Sequence, residues 1–185
     1  MNYCSTCGSS NIVFDIPEGD HMARYCCKNC GRIHYDNPKI VVGCLPIFEE
    51  KVLLCRRAIE PRKGFWNLPA GFMENGETVQ EGAIREVWEE TQAKVELIRL
   101  HCLYNLPHVN QVYIIFLARL LEQSLVTSTR ESLEIRLFHQ TNIPWNEIAF
   151  TSTQFALEKY FAYRHYEGTH LGCFVLKDET SSWSN

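Results

Sequence analysis

Two apolar runs set the pattern of the central chain. KIVVGCLPIF and KVLLCRR, residues 39–48 and 51–57, are separated by the polar pair Glu49-Glu50, which predicts two strands joined by a short turn. KVELIRLHCLY, residues 94–104, and QVYIIFLARLL, residues 111–121, predict another pair across a turn through Asn105, Pro107 and Asn110. The second run is apolar at nearly every position from Val112 to Ala118, which suits a strand buried on both faces and calls for helices over the sheet. Glu122 to Ser132 is polar and loop-like, and Leu133 to Phe138 reads as a further strand. IPWNEIAF and the stretch from Ser152 to Tyr166 read as a short turn and a closing helix with aromatic anchors, and the terminal ETSSWSN as a disordered tail.

One stretch departs from the strand rhythm. In GFMENGETVQEGAIREVWEETQA, residues 71–93, Glu86, Glu89 and Glu90 stand at i, i+3 and i+4, so a helix there sends three carboxylates from one face. Such like-charge pairs repel by about 0.2–0.5 kcal/mol each in water and by more where water is excluded, so a cation is expected among them. Clustered carboxylate oxygens suit a hard octahedral ion, Mg2+ or Mn2+, that shares the phosphates of a substrate. Ile84, Val87 and Trp88 fall on the other side and are expected to seat the helix on the core, and Glu77 is expected in its first turn, where the helix dipole favours it.

The N-terminal region follows a different logic. Cys4-Ser5-Thr6-Cys7-Gly8 and Cys27-Lys28-Asn29-Cys30-Gly31 are two C-x2-C-G knuckles, a spacing that aims Cys4, Cys7, Cys27 and Cys30 at one tetrahedral Zn2+. Before Pro38 the bases Arg24, Lys28 and Arg32 face Asp15, Glu18, Asp20 and Asp36, which makes a poor trap for nucleic acid. Asn37-Pro38 marks a boundary. The expected organisation is a zinc ribbon over 1–37, a main domain over 38–166 and a tail over 167–185.

Composition narrows the class. With 185 residues, 45% apolar, the chain suits one medium domain plus an appendage, and a net charge of -4 argues against nucleic-acid or membrane-surface partners. No apolar run approaches a membrane span, MNYCSTCGSS is no signal or transit peptide, and nine cysteines in partly knuckle spacing point to reduced thiols and a cytoplasmic setting.

Residues 71–93 fit the pattern G-x5-E-x7-R-E-U-x-E-E-x-G-U of the Nudix hydrolases through Gly71, Glu77, Arg85, Glu86, Glu89 and Glu90, with Val87 and Ala93 at apolar positions. The departure is Gln92, where the family has glycine; glutamine at φ > 0 costs about 1 kcal/mol, which puts the usual helix end in question. The preceding W-x-L-P-A-G, residues 66–71, together with YCSTCG, NPKIVVGCL, KVLLCRR and ESLEIRLF, resembles the branch containing the plant chloroplast FAD and ADP-ribose pyrophosphatases. The chain carries no transit peptide, so a bacterial member is expected. The S-Q-P-W-P-F-P-x-S array of NADH pyrophosphatases has no counterpart between Ala93 and Gln123.

The resemblance implies an α/β Nudix fold, an α/β/α sandwich with a mixed sheet between helices, and cleavage of the diphosphate of a nucleoside diphosphate derivative, FAD to FMN and AMP or ADP-ribose. NADH cleavage and a nucleotide sensor acting through the ribbon are the alternatives. It also implies that Glu86, Glu89 and Glu90, with the carbonyl of Ala70, hold Mg2+, that Arg85 orients a carboxylate, and that the general base is Glu89, Glu90, Glu131 or Glu134. Arg56 and Arg57 point to opposite faces of their strand, so at most one meets a substrate phosphate. Trp66, with Phe65, Phe72 and Tyr104, is a candidate for stacking on substrate. The expected partner is a small dinucleotide, with a homodimer by analogy only.

Overall fold

A computed structural model describes residues 1–122 and 125–174. The chain divides into two units, Met1–Asn37 and a second beginning at Pro38. The first is a three-stranded antiparallel sheet of β1 (Ile12–Asp15), β2 (Arg24–Cys27) and β3 (Ile33–His34) in that order. Its buried side chains are the thiols Cys4 and Cys27, while Phe14, Ile16, Met22, Tyr3 and Tyr35 are exposed. An apolar core is therefore not what holds this unit. The four cysteine sulfurs lie within 4.8 Å of one another, with Cys4 and Cys30 3.7 Å apart and Cys7 and Cys27 3.6 Å apart. A tetrahedral ion with bonds of about 2.3 Å needs edges of about 3.8 Å, so the four thiols fit Zn2+.

The second unit is built on a mixed sheet. Its strands are β4 (Lys39–Phe48), β5 (Lys51–Arg57), β6 (Trp66–Asn67), β7 (Ala70–Phe72), then β8 (Val95–Leu106), β9 (Gln111–Leu120) and β10 (Ser132–His139), with β11 (His170–Cys173) last. The order is β10-β5-β4-β9-β8-β11, with β6 beside β5 and β7 beside β4. β4 runs parallel to β9 and β11 parallel to β8, while the other pairs are antiparallel. α1 (Val79–Thr91) and α2 (Thr151–Ala162) cover opposite faces. Alternation along β5 makes this plain, because Leu53 and Cys55 pack with Ala83 and Val87 of α1, whereas Val52 and Leu54 pack with Ala156 and Leu157 of α2. Among the described residues, no helix is long and apolar enough to cross a membrane.

Several sequence expectations change here. His170–Cys173, placed in the tail, is a strand added in parallel to β8, and the expected disordered ETSSWSN lies outside the described residues. The α1 face is also turned from the expected one. It buries Gly82, Ala83, Glu86, Val87, Glu90 and Thr91, while Ile84 and Trp88 are 40% and 45% exposed. Val87 seats the helix as expected, Ile84 and Trp88 do not, and Glu86 and Glu90 are pressed toward the sheet while Glu89 stays exposed.

Both ends of α1 have clear causes. Thr78 caps the N-terminus in a capping box, with the Glu81 amide donating to Thr78 Oγ1 at 3.2 Å and the Thr78 amide donating to Glu81 Oε2 at 2.8 Å. Glu77 therefore precedes the helix instead of occupying its first turn. At the C-terminus Gln92 adopts φ 55, the left-handed cap that glycine ordinarily supplies. Gln92→Gly is expected to stabilise the protein by about 0.5–1 kcal/mol, read as a higher denaturant midpoint at unchanged slope.

Candidate active site

At the end of the sheet where β4 and β9 begin and β5 and β8 finish lies a cleft of about 740 Å³. Six glutamates line it, at 60, 74, 86, 89, 90 and 131, against the three arginines Arg57, Arg62 and Arg85. Its floor is set by a close approach. A side chain at Gly71 would place its Cβ 2.3 Å from a Glu86 carboxylate oxygen, so a larger residue there would displace that carboxylate.

Arg85 organises the acidic face. Its Nε and one terminal nitrogen donate to the two oxygens of Glu77 at 2.9 and 2.7 Å, a bidentate pair. The other terminal nitrogen donates to Glu86 at 2.7 Å and to Glu89 at 3.0 Å. The Arg85 guanidinium holds the Glu77 carboxyl down at about 2, helped by the Glu74 amide. Part of the repulsion expected from the sequence is thus relieved by an arginine within the same motif.

Among the described residues, Glu90 has no such cation bonded to it. It is 8% exposed, and its Oε2 accepts from the Cys55 thiol at 3.0 Å. Burial pushes its carboxyl up to about 7; the Cys55 bond and the charge of Arg57 oppose this, and the charge of Glu86 adds to it. Glu86 is raised as well, first by burial and then by the charges of Glu89 and Glu131, against its bond to Arg85. Buried carboxylates beside further acids are short of positive charge, and an all-oxygen donor set fits a hard divalent cation. Among the described residues, however, the four ribbon cysteines alone bring three or more side-chain ligands within 4.8 Å of one another, so the glutamates flank a common region without converging on a point.

The cleft takes only some of the residues singled out from sequence. Ala70 and Arg57 line it. Arg57 is held by its Nε donating to Pro61 O at 2.9 Å and by its guanidinium lying 5.0 Å from the Phe150 ring centre, and among the described residues it has no carboxylate partner. Arg56, on the alternate face, donates to Gly64 O at 2.7 Å and lies outside. Glu134 is outside too, because the register sets it opposite Arg56 and it pairs with Arg136. Glu131 instead lines the cleft, in a loop tied to α1 by Thr129, whose Oγ1 donates to the Glu90 carbonyl at 3.0 Å and accepts from the Glu131 amide at 3.3 Å.

Trp66 is 5% exposed and packs edge-on against Phe138, which makes it core instead of a substrate contact. Tyr104 is buried against Phe155, and Phe65 lies beneath Arg62. Of the four aromatic candidates only Phe72 lines the cleft. Tyr113, His108, Phe150 and Phe174 line it as well and were not singled out from the sequence. The turn signal at Pro107 and Asn110 was visible, but nothing local shows that distant strand ends share one level.

Comparison with known proteins matches residues 37–160 to the NUDIX domain and residues 2–36 to the Nudix N-terminal zinc ribbon. A NUDIX hydrolase structure from Nitrosomonas europaea is 50% identical, with a TM-score of 0.89 over 94% of this chain and 99% of that one. The ADP-ribose pyrophosphatase of Methanocaldococcus jannaschii is 32% identical over 116 residues, 60% of this chain and 67% of the relative. The NAD-capped RNA hydrolase NudC of Chromobacterium violaceum is 29% identical over 117 residues, 63% of this chain. This chain spans 42% of that relative's length.

Proposed function

From membership of the Nudix family, to which this chain belongs, we propose that it is a Mg2+-dependent pyrophosphatase that hydrolyses the diphosphate of FAD, giving FMN and AMP, or of ADP-ribose. The observation that carries the reading is the charge of the cleft, six glutamates against three arginines, with burial raising the carboxyls of Glu86 and Glu90. A diphosphate is itself anionic, so this cleft accepts one only with added cations.

Glu86, Glu89, Glu90 and the Ala70 carbonyl would hold Mg2+ or Mn2+, which supplies charge neutralisation at the diphosphate and makes water more acidic. Arg85 orients Glu86 and Glu89 by its two bonds. Arg57 meets the diphosphate, since its Nε is committed to Pro61 and, among the described residues, its terminal nitrogens carry no ion pair. Glu131, one of the four base candidates named from sequence, serves as general base, the Thr129 hydroxyl fixing its loop. Water oxygen bonds to one phosphorus, the bridging P–O bond breaks, and the water proton passes to Glu131.

A second reading, cleavage of an NAD-like end as in the NAD-capped RNA hydrolases, is favoured by the similarity to NudC. Against it stands the missing S-Q-P-W-P-F-P-x-S array. Product analysis with Mg2+ and a panel of FAD, ADP-ribose, NADH and NAD-capped RNA decides between them. The proposal requires FMN and AMP from FAD, or AMP and ribose phosphate from ADP-ribose. Turnover confined to NADH or capped RNA transfers the assignment to the second reading, and the absence of phosphate-ester products from every substrate overturns both.

A further inference from the structure

The cleft residues form a row across the strands at one level of the sheet. Arg57 ends β5, Val41 lies near the start of β4 and pairs with Tyr113 of β9, Leu106 ends β8 opposite Gln111, and Phe174 follows β11 beyond the Cys173–Asn105 pair. From β5 to β11 this is at least four strand spacings, about 19 Å. The two ends differ in chemistry: the β5 end carries Arg57 and Arg62, whereas the β11 end offers Leu106, His108, Val109, Tyr113 and Phe174.

The outer end is a constructed wall. The Phe174 amide donates to Asn105 O at 3.0 Å, and Asn105 Nδ2 donates to Gly172 O at 3.2 Å, so the end of β11 is tied to β8 twice. Gly172 allows this approach, because a Cβ there would stand 2.5 Å from the Tyr104 ring and 2.8 Å from Phe155. The Phe174 ring then lies 5.3 Å, centre to centre, from His108, which the Pro107–Val109 turn presents from the β8–β9 connection. Two rings from separate parts of the chain thus meet at the end of the cleft that the strand order sets farthest from Arg57. Flat apolar faces beside polar edges are the surface on which a nucleobase or flavin ring stacks.

We infer that Phe174 and His108 form a specificity wall that stacks the heteroaromatic ring of the substrate lying farthest from Arg57. The inference rests on the proposed dinucleotide hydrolase reading and adds the C-terminal strand to the substrate site. Steady-state kinetics of the full chain with Mg2+, on whichever of FAD, ADP-ribose or NADH it cleaves best, test it through Phe174→Ala, His108→Ala and the bulk-preserving Phe174→Leu. Phe174→Ala is expected to raise KM about 5- to 100-fold, while kcat changes far less, with a smaller rise for the other two. Equilibrium binding of AMP and FMN to the same variants identifies which ring is held, the affected product losing affinity by a similar factor. An unchanged KM together with unchanged binding of both products in a folded Phe174→Ala protein overturns the wall and leaves the hydrolase reading intact. A parent protein that cleaves no member of the panel overturns the hydrolase reading itself.

Discussion

Glu90→Gln is expected to lower kcat/KM by about 100- to 1,000-fold while making the Mg2+-free protein more stable at pH 8. The two effects share one cause. Glu90 is buried, accepts from Cys55 at 3.0 Å and holds its proton up to about 7. An unfolded glutamate ionises near 4.3. Between these values the folded protein binds more protons than the unfolded one, so this group's contribution to stability falls as pH rises through the window and stays at its lowest above about 7. Glutamine keeps the oxygen that accepts from Cys55 and discards the buried charge, so the variant's advantage grows from pH 5 to pH 8 and reaches at most about 4 kcal/mol. Glu89→Gln is expected to lose activity without this gain, because Glu89 already bonds to Arg85 at the rim. Thermal melts at the two pH values and initial rates check both statements. A Glu90→Gln enzyme with full turnover contradicts the proposed role.

Removing zinc is expected to unfold residues 1–37 and leave the β4–β11 sheet folded. The unit has strands of four, four and two residues, and its buried side chains are Cys4 and Cys27. A segment below about 40 residues rarely folds without a metal or disulfide, and structural zinc contributes on the order of 10–16 kcal/mol of folding free energy at pH 7. Amide exchange measured before and after chelation should show the amides of Cys4, Gly8, Cys27 and Gly31, bonded within their knuckles, losing protection while those of β4 and β9 keep theirs. Cys27→Ser should behave like the chelated protein. Protection that survives in a protein shown to contain no zinc contradicts the account.

The sequence was most informative where short-range chemistry decides. The knuckle spacing brought together the four cysteines now seen within 4.8 Å of one another. The apolar runs matched β4 and β5 at both ends, since alternation and a polar pair are local signals. Periodicity on α1 misled because it scores Ile84 and Trp88 as apolar without registering that Glu86 and Glu90 can be buried when an arginine of the same helix and a thiol of the facing strand β5 donate to them. That Glu131 and not Glu134, both named from sequence, lines the cleft turns on the β5–β10 register, which puts Ser132 opposite Arg57 and Glu134 opposite Arg56 with an irregularity between them. Such a pairing between residues far apart in sequence has no local signature. The same holds for Phe174, which reaches the cleft only because β11 docks on β8.

The central claim is that Glu86, Glu89 and Glu90 form a divalent-cation site in the cleft. Crystals of the full chain equilibrated with Mn2+ as the Mg2+ substitute, with anomalous scattering recorded at the manganese edge, locate that ion directly. The account predicts at least one peak about 2.0–2.3 Å from carboxylate oxygens of this trio, with the bond from Arg85 to Glu86 or Glu89 rearranged. Saturating Mn2+ with no peak in the cleft and every Arg85 bond retained would contradict it.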